Sequence, residues 1–328
     1  MKARIQDSVF RIQAGQAKVP VRPLFLSTRH SALSTQHSKG FTLIEMIVVI
    51  VITGIIAGMV AMFIRAPVEG YISSSHRAEM TDIADTALRR MGRDLRTAVP
   101  NSVRMPIPAG STYFEFLPTR DGGRYRVDPT DGAGGCAAVA GNTLGDALNF
   151  DAADTCFEIV GPAIATSVGD AIVIGSTQSD GNQPYQLVTS ATGVRRMVSA
   201  AGTTTVQVTS GTPLPASSEL QGHRFAVVPA AEGAVTYACV NPGGGACGVD
   251  ADGDGTCQLV RVSAYGYSAI QALPATVGAP ILAQRVSACN FVYNTDNQRN
   301  SLLAARLVIT RGNESVNLYH EVHINNIP

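Results

Sequence analysis

The sequence predicts an α+β fold: one long N-terminal helix, transmembrane in its first half and amphipathic in its second, packed on an antiparallel β-sheet domain. Three observations predict it. Residues 41–64 are almost wholly apolar. Beyond them an apolar stripe recurs every three or four residues from Val68 to Ala98. After Pro106 the text breaks into short strand-like runs punctuated by Gly, Pro, Asn and Asp. Composition agrees, since 32 glycines, no tryptophan and 15% charged residues suit a turn-rich β domain with little nucleic-acid character.

The first 40 residues form a basic leader. Lys2, Arg4, Arg11, Lys18, Arg22, Arg29 and Lys39 stand there against one acid, Asp7, while the rest of the chain holds no lysine and more acids than arginines. Basic residues ahead of an apolar span are retained in the cytoplasm, so the expected orientation is N-in, C-out, single-pass. As a helix the 24 residues of 41–64 reach about 36 Å, enough to cross a bilayer. The run exceeds a secretory h-region and no small-x-small site follows it, so it is expected to stay in the mature chain.

Glu45 is the anomaly in that run. A carboxylate in hydrocarbon costs a few kcal/mol and calls for a partner or a purpose. One reading leaves it reaching the headgroups. If the chain is cut between Gly40 and Phe41, a second reading appears: the new amine of Phe41 on one subunit neutralises Glu45 of the next. Such an ion pair sets register more than stability.

"KGFTLIE" (39–45) followed by this run resembles the class III signal of type IV pilins and type II secretion pseudopilins. The resemblance implies that a prepilin peptidase cuts after Gly40, that Phe41 becomes N-methylated, and that Glu45 is the assembly-register residue at the fifth mature position. The leader is longer than is usual for the family. Expected partners are other pilins through a helix bundle, the peptidase, an inner-membrane assembly platform and the lipid bilayer, with no nucleic acid.

The exported half of the helix is expected over 66–99, with Pro67 kinking or breaking it. Strands are expected at Tyr113–Leu117, Cys156–Val160, Ala171–Ile174, Thr204–Thr209, Arg224–Val228, Val235–Val240, Leu259–Tyr267, Gln284–Tyr293, Leu303–Thr310 and Ser315–Ile327, the last alternating as a half-buried strand does. They make residues 100–328 a β-rich domain. Asp121–Asn149, rich in Gly, Asp and Ala, reads as a surface loop.

All six cysteines follow the apolar run, as disulfides formed in an oxidising compartment require. Of fifteen possible pairings the reading taken is Cys136–Cys156, Cys239–Cys289 and Cys247–Cys257. Within "CGVDADGDGTC" (247–257), Asp250, Asp252 and Asp254 alternate before glycine, a spacing that suits calcium. Arg261 stands where an EF-hand has its twelfth-position Glu, so the choice lies between a minimal calcium loop and a disulfide-held hairpin tip with solvated acids. No other cofactor is expected. His320 and His323 would point to opposite faces of a strand. The arginines of "RRMGRDLR" (89–96) are expected to pair with acids of the sheet or of neighbouring subunits. Neither a G-x-S-x-G elbow nor a P-loop occurs, and no enzyme activity is expected.

Residues 63–104, "RVSACNFVYNTDNQRNSLLAARLVIT" (285–310) and the terminal "LYHEVHINNIP" resemble minor pilin-like components of MSHA-type pili. The resemblance covers both ends of the mature chain and implies a subunit that initiates or caps a fibre, moving from the inner membrane, with its C-terminal domain in the periplasm, to a fibre tip. A J-like minor pseudopilin of type II secretion is the first alternative. A membrane-anchored calcium-dependent adhesin or periplasmic enzyme is the second.

Overall fold

A computed structural model describes residues 40–106, 110–130, 135–136, 139–140, 146–186, 192–209, 212–294 and 300–328. One helix, α1 (Leu43–Arg96), runs for 54 residues, and the chain divides into two compact units at Met62/Phe63. Of the kink or break expected at Pro67, the break does not occur. Proline removes one internal hydrogen bond, but its fixed φ is helical and the neighbouring turns are exposed, so the helix continues.

In the second unit the helix buries Met80, Ala84, Ala87, Leu88, Met91, Gly92 and Leu95, the stripe that the spacing predicts. This face lies on a six-stranded antiparallel sheet. Its strands are β1 (Tyr113–Phe116), β8 (Val235–Val240), β9 (Cys257–Val262), β10 (Ile281–Asn294), β11 (Asn300–Arg311) and β12 (Glu314–Asn325), hydrogen-bonded in that order. Phe114, Phe116, Tyr237 and Phe291 stack beneath the helix with ring centroids 4.9–6.3 Å apart. Gly92 permits the closest approach, since a Cβ there would stand 3.1 Å from His320 Nε2. Asp94 ties the helix to the sheet by accepting from Tyr237 Oη at 2.8 Å and Arg261 Nε at 2.9 Å.

Between β1 and β8 the chain leaves the sheet and builds a closed antiparallel barrel. Its strands are β2 (Asp121–Tyr125), β3 (Cys156–Val160), β4 (Ala171–Ile174), β5 (Arg195–Ala200), β6 (Thr205–Val208) and β7 (Arg224–Val228), arranged β2-β3-β6-β5-β4-β7 and closed by β7 on β2. Ile172, Ile174, Phe225 and Val227 fill its interior with Phe157 and Val206. Ala171, Val173 and Val228 face the other way and meet Val99, Leu117 and Ala234 in a separate core. Burial on both faces is why "AIVI" and "AVV" lack alternation.

The barrel corrects the sequence reading. Asp121–Asn149 is not wholly a loop, because its first five residues form β2; part of the rest lies outside the described residues. The β5 strand was not expected at all. The remaining strands lie where expected to within a few residues, except that β9 ends at Val262 rather than at Tyr267.

The three disulfides are Cys136–Cys156, Cys239–Cys289 and Cys247–Cys257, with Cα–Cα distances of 5.6, 6.5 and 5.3 Å. The second joins β8 to β10 beyond the stretch where β9 pairs with β10.

Candidate functional site

Gly40, Phe41 and Thr42 precede the helix in exposed chain, and every residue from Phe41 to Ile72 is exposed. Thr42 is the N-cap. Its Oγ1 accepts the backbone N–H of Glu45 at 3.3 Å, and its carbonyl accepts the N–H of Met46 at 3.2 Å. Glu45 thus occupies N3 of a Thr-x-x-Glu sequence, the capping-box position, where a carboxylate also meets the positive end of the helix dipole. The sequence reading missed this local role, although the spacing of Thr42 and Glu45 displays it. Glu45 and the peptide bond expected to be cut are separated by a single turn of chain.

Compared with protein families, the Prokaryotic N-terminal methylation motif matches residues 35–61. This is the class III signal of type IV pilin-like proteins, and it supports a type IV pilin- or pseudopilin-like protein. The matched residues contain Gly40, Phe41 and Glu45. The comparisons with curated proteins and with solved structures returned no match. With an exposed apolar helix long enough to cross a bilayer, the motif fits a membrane-anchored protein.

The acidic loop is closed by its own hydrogen bonds. Asp250 Oδ1 accepts the N–H groups of Asp252 (3.0 Å) and Asp254 (2.9 Å), closing the turn on itself. Asp254 points away, taking the Gly312 N–H at 2.9 Å and Arg285 Nε at 2.8 Å. The Gly312 N–H holds the Asp254 carboxyl below its ordinary range; partial burial opposes this and Arg285 reinforces it. Gly253 has φ +81°, and a Cβ there would meet the Asn313 N at 2.6 Å. The loop is therefore a clasp that docks on β10 and on the turn between β11 and β12. No group of three or more His, Cys, Asp or Glu side chains among the described residues is placed to hold a metal. In this arrangement the Asp250 carboxylate serves the loop's own amides and Asp254 serves the dock on Arg285 and Gly312.

His320 and His323 do fall on opposite faces of β12, with His320 half-buried against Gly92 and His323 exposed. Arg89 bonds Asp85 of the same helix at 2.7 Å. Arg90, Arg93 and Arg96 are exposed and make no ion pair with the sheet among the described residues, which corrects that part of the expectation. The helix reaches the sheet instead through Asp94 to Arg261, Glu79 to Arg311 and Arg77 to Glu314.

Proposed function

We propose that the chain is a minor pilin-like subunit of an MSHA-type type IV pilus, similar to the MSHA biogenesis protein MshO, that initiates or caps a fibre. The observation that carries this reading is the match at 35–61 reaching into a helix whose apolar first half is exposed among the described residues. Prepilin peptidase breaks the Gly40–Phe41 amide and frees the Phe41 amine, which is then N-methylated. The subunit waits in the inner membrane, N-in, with its β domain in the periplasm, until the assembly platform extracts it into a bundle of like helices.

Glu45 has two tasks in this scheme. Within its own chain it stands at the capped first turn. Between chains it faces the cationic Phe41 amine of a neighbour, and in low dielectric an unpaired charge is costly enough to penalise other registers. A head carrying both a sheet and a barrel suits a position occupied once, at a tip, rather than a repeated shaft.

The test is processing and incorporation. Mass spectrometry of the mature protein is expected to find N-methylated Phe41 as the first residue. Gly40→Arg is expected to leave a precursor about 4 kDa heavier, at roughly 110 Da per residue. Glu45→Ala is expected to be cleaved normally yet lost from fibres. A native chain beginning anywhere other than Phe41 would overturn the reading. Co-purification with a secretion apparatus in place of pilus subunits would reassign the same chemistry to a J-like pseudopilin.

A further inference from the structure

The two edges of the six-stranded sheet are treated very differently. On one side β1 is four residues long, and Arg104 and Glu115 exchange backbone hydrogen bonds of 2.9 and 3.0 Å that cover it. On the other side β12 is twelve residues long and, among the described residues, pairs with β11 alone. An uncovered edge offers a row of unmet N–H and C=O groups, and proteins ordinarily guard it with proline, lysine, a bulge or brevity. From Glu314 to Asn325 there is no proline, lysine or arginine, and the register with β11 runs from Glu314 to Asn325 without a shift.

The turn fixes which groups are free. Gly312 and Asn313 have φ of +55° and +64° and join Arg311 to its partner Glu314, a two-residue hairpin turn closed by the Glu314 N–H on the Arg311 carbonyl. Antiparallel bonding then alternates. Val316, Leu318, His320, Val322 and Ile324 bond β11, whereas Ser315, Asn317, Tyr319, Glu321, His323 and Asn325 aim their backbone groups outward. Those six side chains are all exposed. On the opposite face Val322 and Ile324 are 2% exposed, but Val316 and Leu318 are only half-buried against the core that α1 covers.

We propose that the β12 edge receives an extended strand of a neighbouring fibre subunit, by strand addition. The occupant's chemistry follows from the edge: about six residues, alternating, with apolar side chains on the α1 side to finish covering Val316 and Leu318 and polar ones beside Tyr319 and Glu321. A second copy of this chain paired antiparallel through β12 would run its α1 in the opposite direction, because the dyad is normal to the sheet. Helices bundled in one fibre run in one direction, which rules out that pairing, and a position occupied once has no second copy beside it, so the strand comes from a different subunit. This inference rests on the fibre reading above.

The test compares backbone amide exchange of the full-length chain in detergent and in assembled fibres. The amides of Asn317, Tyr319, Glu321 and His323 are expected to exchange freely in detergent and at least tenfold more slowly in fibres, while Leu318, His320 and Val322 stay protected in both. Asn317→Pro with Glu321→Pro removes outward N–H groups, together with the exposed side-chain bonds of Arg306 to Asn317 and Tyr319 to Glu321; it is expected to leave processing intact and to lower incorporation at least tenfold. Should that pair misfold, Asn317→Lys with His323→Lys places guarding charges on the same edge and is expected to lower incorporation likewise. Unslowed exchange in fibres, normal incorporation of the variants, or Tyr319→Cys chains cross-linking to each other would overturn the proposal. A chain absent from fibres altogether would sink the functional reading itself, whereas a chain present there with freely exchanging edge amides sinks this inference alone.

Discussion

Arg104 and Glu115 have side chains 2% exposed each and meet at 2.7 Å, so both charges have been taken out of water. The desolvation is offset by an unusually full set of partners. Arg104 also bonds Asn182 Oδ1 and the carbonyls of Ser268 and Ala269, and its guanidinium lies 3.5 Å from the Tyr185 ring centre. Glu115 accepts the Tyr265 hydroxyl at 2.8 Å, and burial followed by that carboxylate pushes the phenol far above its ordinary range. Glu115→Ala would strand a buried cation and is expected to cost about 3–5 kcal/mol, read as a lowered denaturant midpoint. Glu314→Ala, at the exposed Arg77–Glu314 pair, is expected to cost under about 1 kcal/mol. Asp170 supplies the pH dependence. Burial alone would raise its carboxyl, but the N–H groups of Ala230 and Ser167 together with Arg120 outweigh it and hold the group below the ordinary carboxylate range. A depressed native value means stability present above the unfolded value, about 3.9, and lost as pH falls through the native one. Asp170→Asn is therefore expected to flatten the acid limb of a stability–pH curve below about pH 4 and to lower the plateau above it.

At the scale of elements, the disulfides differ in the loops they close. Cys239–Cys289 closes 50 residues and Cys247–Cys257 closes 10. The chain-entropy account gives about 4 and about 3 kcal/mol, so paired Ala substitution at Cys239/Cys289 is expected to lower the unfolding midpoint more than at Cys247/Cys257. The opposite order would show that the clasp on Arg285 and Gly312 matters more than loop entropy. What the sequence disclosed about the elements follows the same division between local and distant causes. The helix stripe from Met80 to Leu95 and the alternation of β12 are written in local spacing and were legible. "DGGRY" and "RRMVSA" were not, because glycines and arginines carry no strand signal and only barrel closure makes β2 and β5 pair. The methylation motif was legible as a short linear pattern, and the Thr42 cap was equally local but overlooked. The docking of the Asp250–Asp254 loop was not legible for the converse reason: Arg285, which bonds Asp254, lies 31 residues away and no linear pattern contains it.

At the scale of the molecule, the barrel is an insertion whose ends lie side by side. Arg120 N–H bonds the Val227 carbonyl at 2.9 Å, and Asp121 stands opposite Val227 in the β2–β7 ladder. Chain entering and leaving the barrel is therefore already adjacent, and a short flexible linker replacing residues 120–229 imposes little closure entropy. The helix and the six-stranded sheet share a core that contains no barrel residue, so the excised chain is expected to retain α1 on the sheet. It should form Cys239–Cys289 and Cys247–Cys257 by peptide mapping and still be cut after Gly40. It is not expected to be as stable as the parent. Val99, Leu117 and Ala234 lose Val173, Tyr185 and Val228, and Arg104 loses Asn182 and Tyr185, leaving an apolar patch and a half-satisfied ion pair. A lower midpoint with native disulfides would mark the barrel as a module mounted on an assembly-competent frame. Scrambled disulfides would mean that sheet and barrel fold only together, and, on the proposed fibre role, incorporation of the excised chain would show that helix and sheet suffice for assembly.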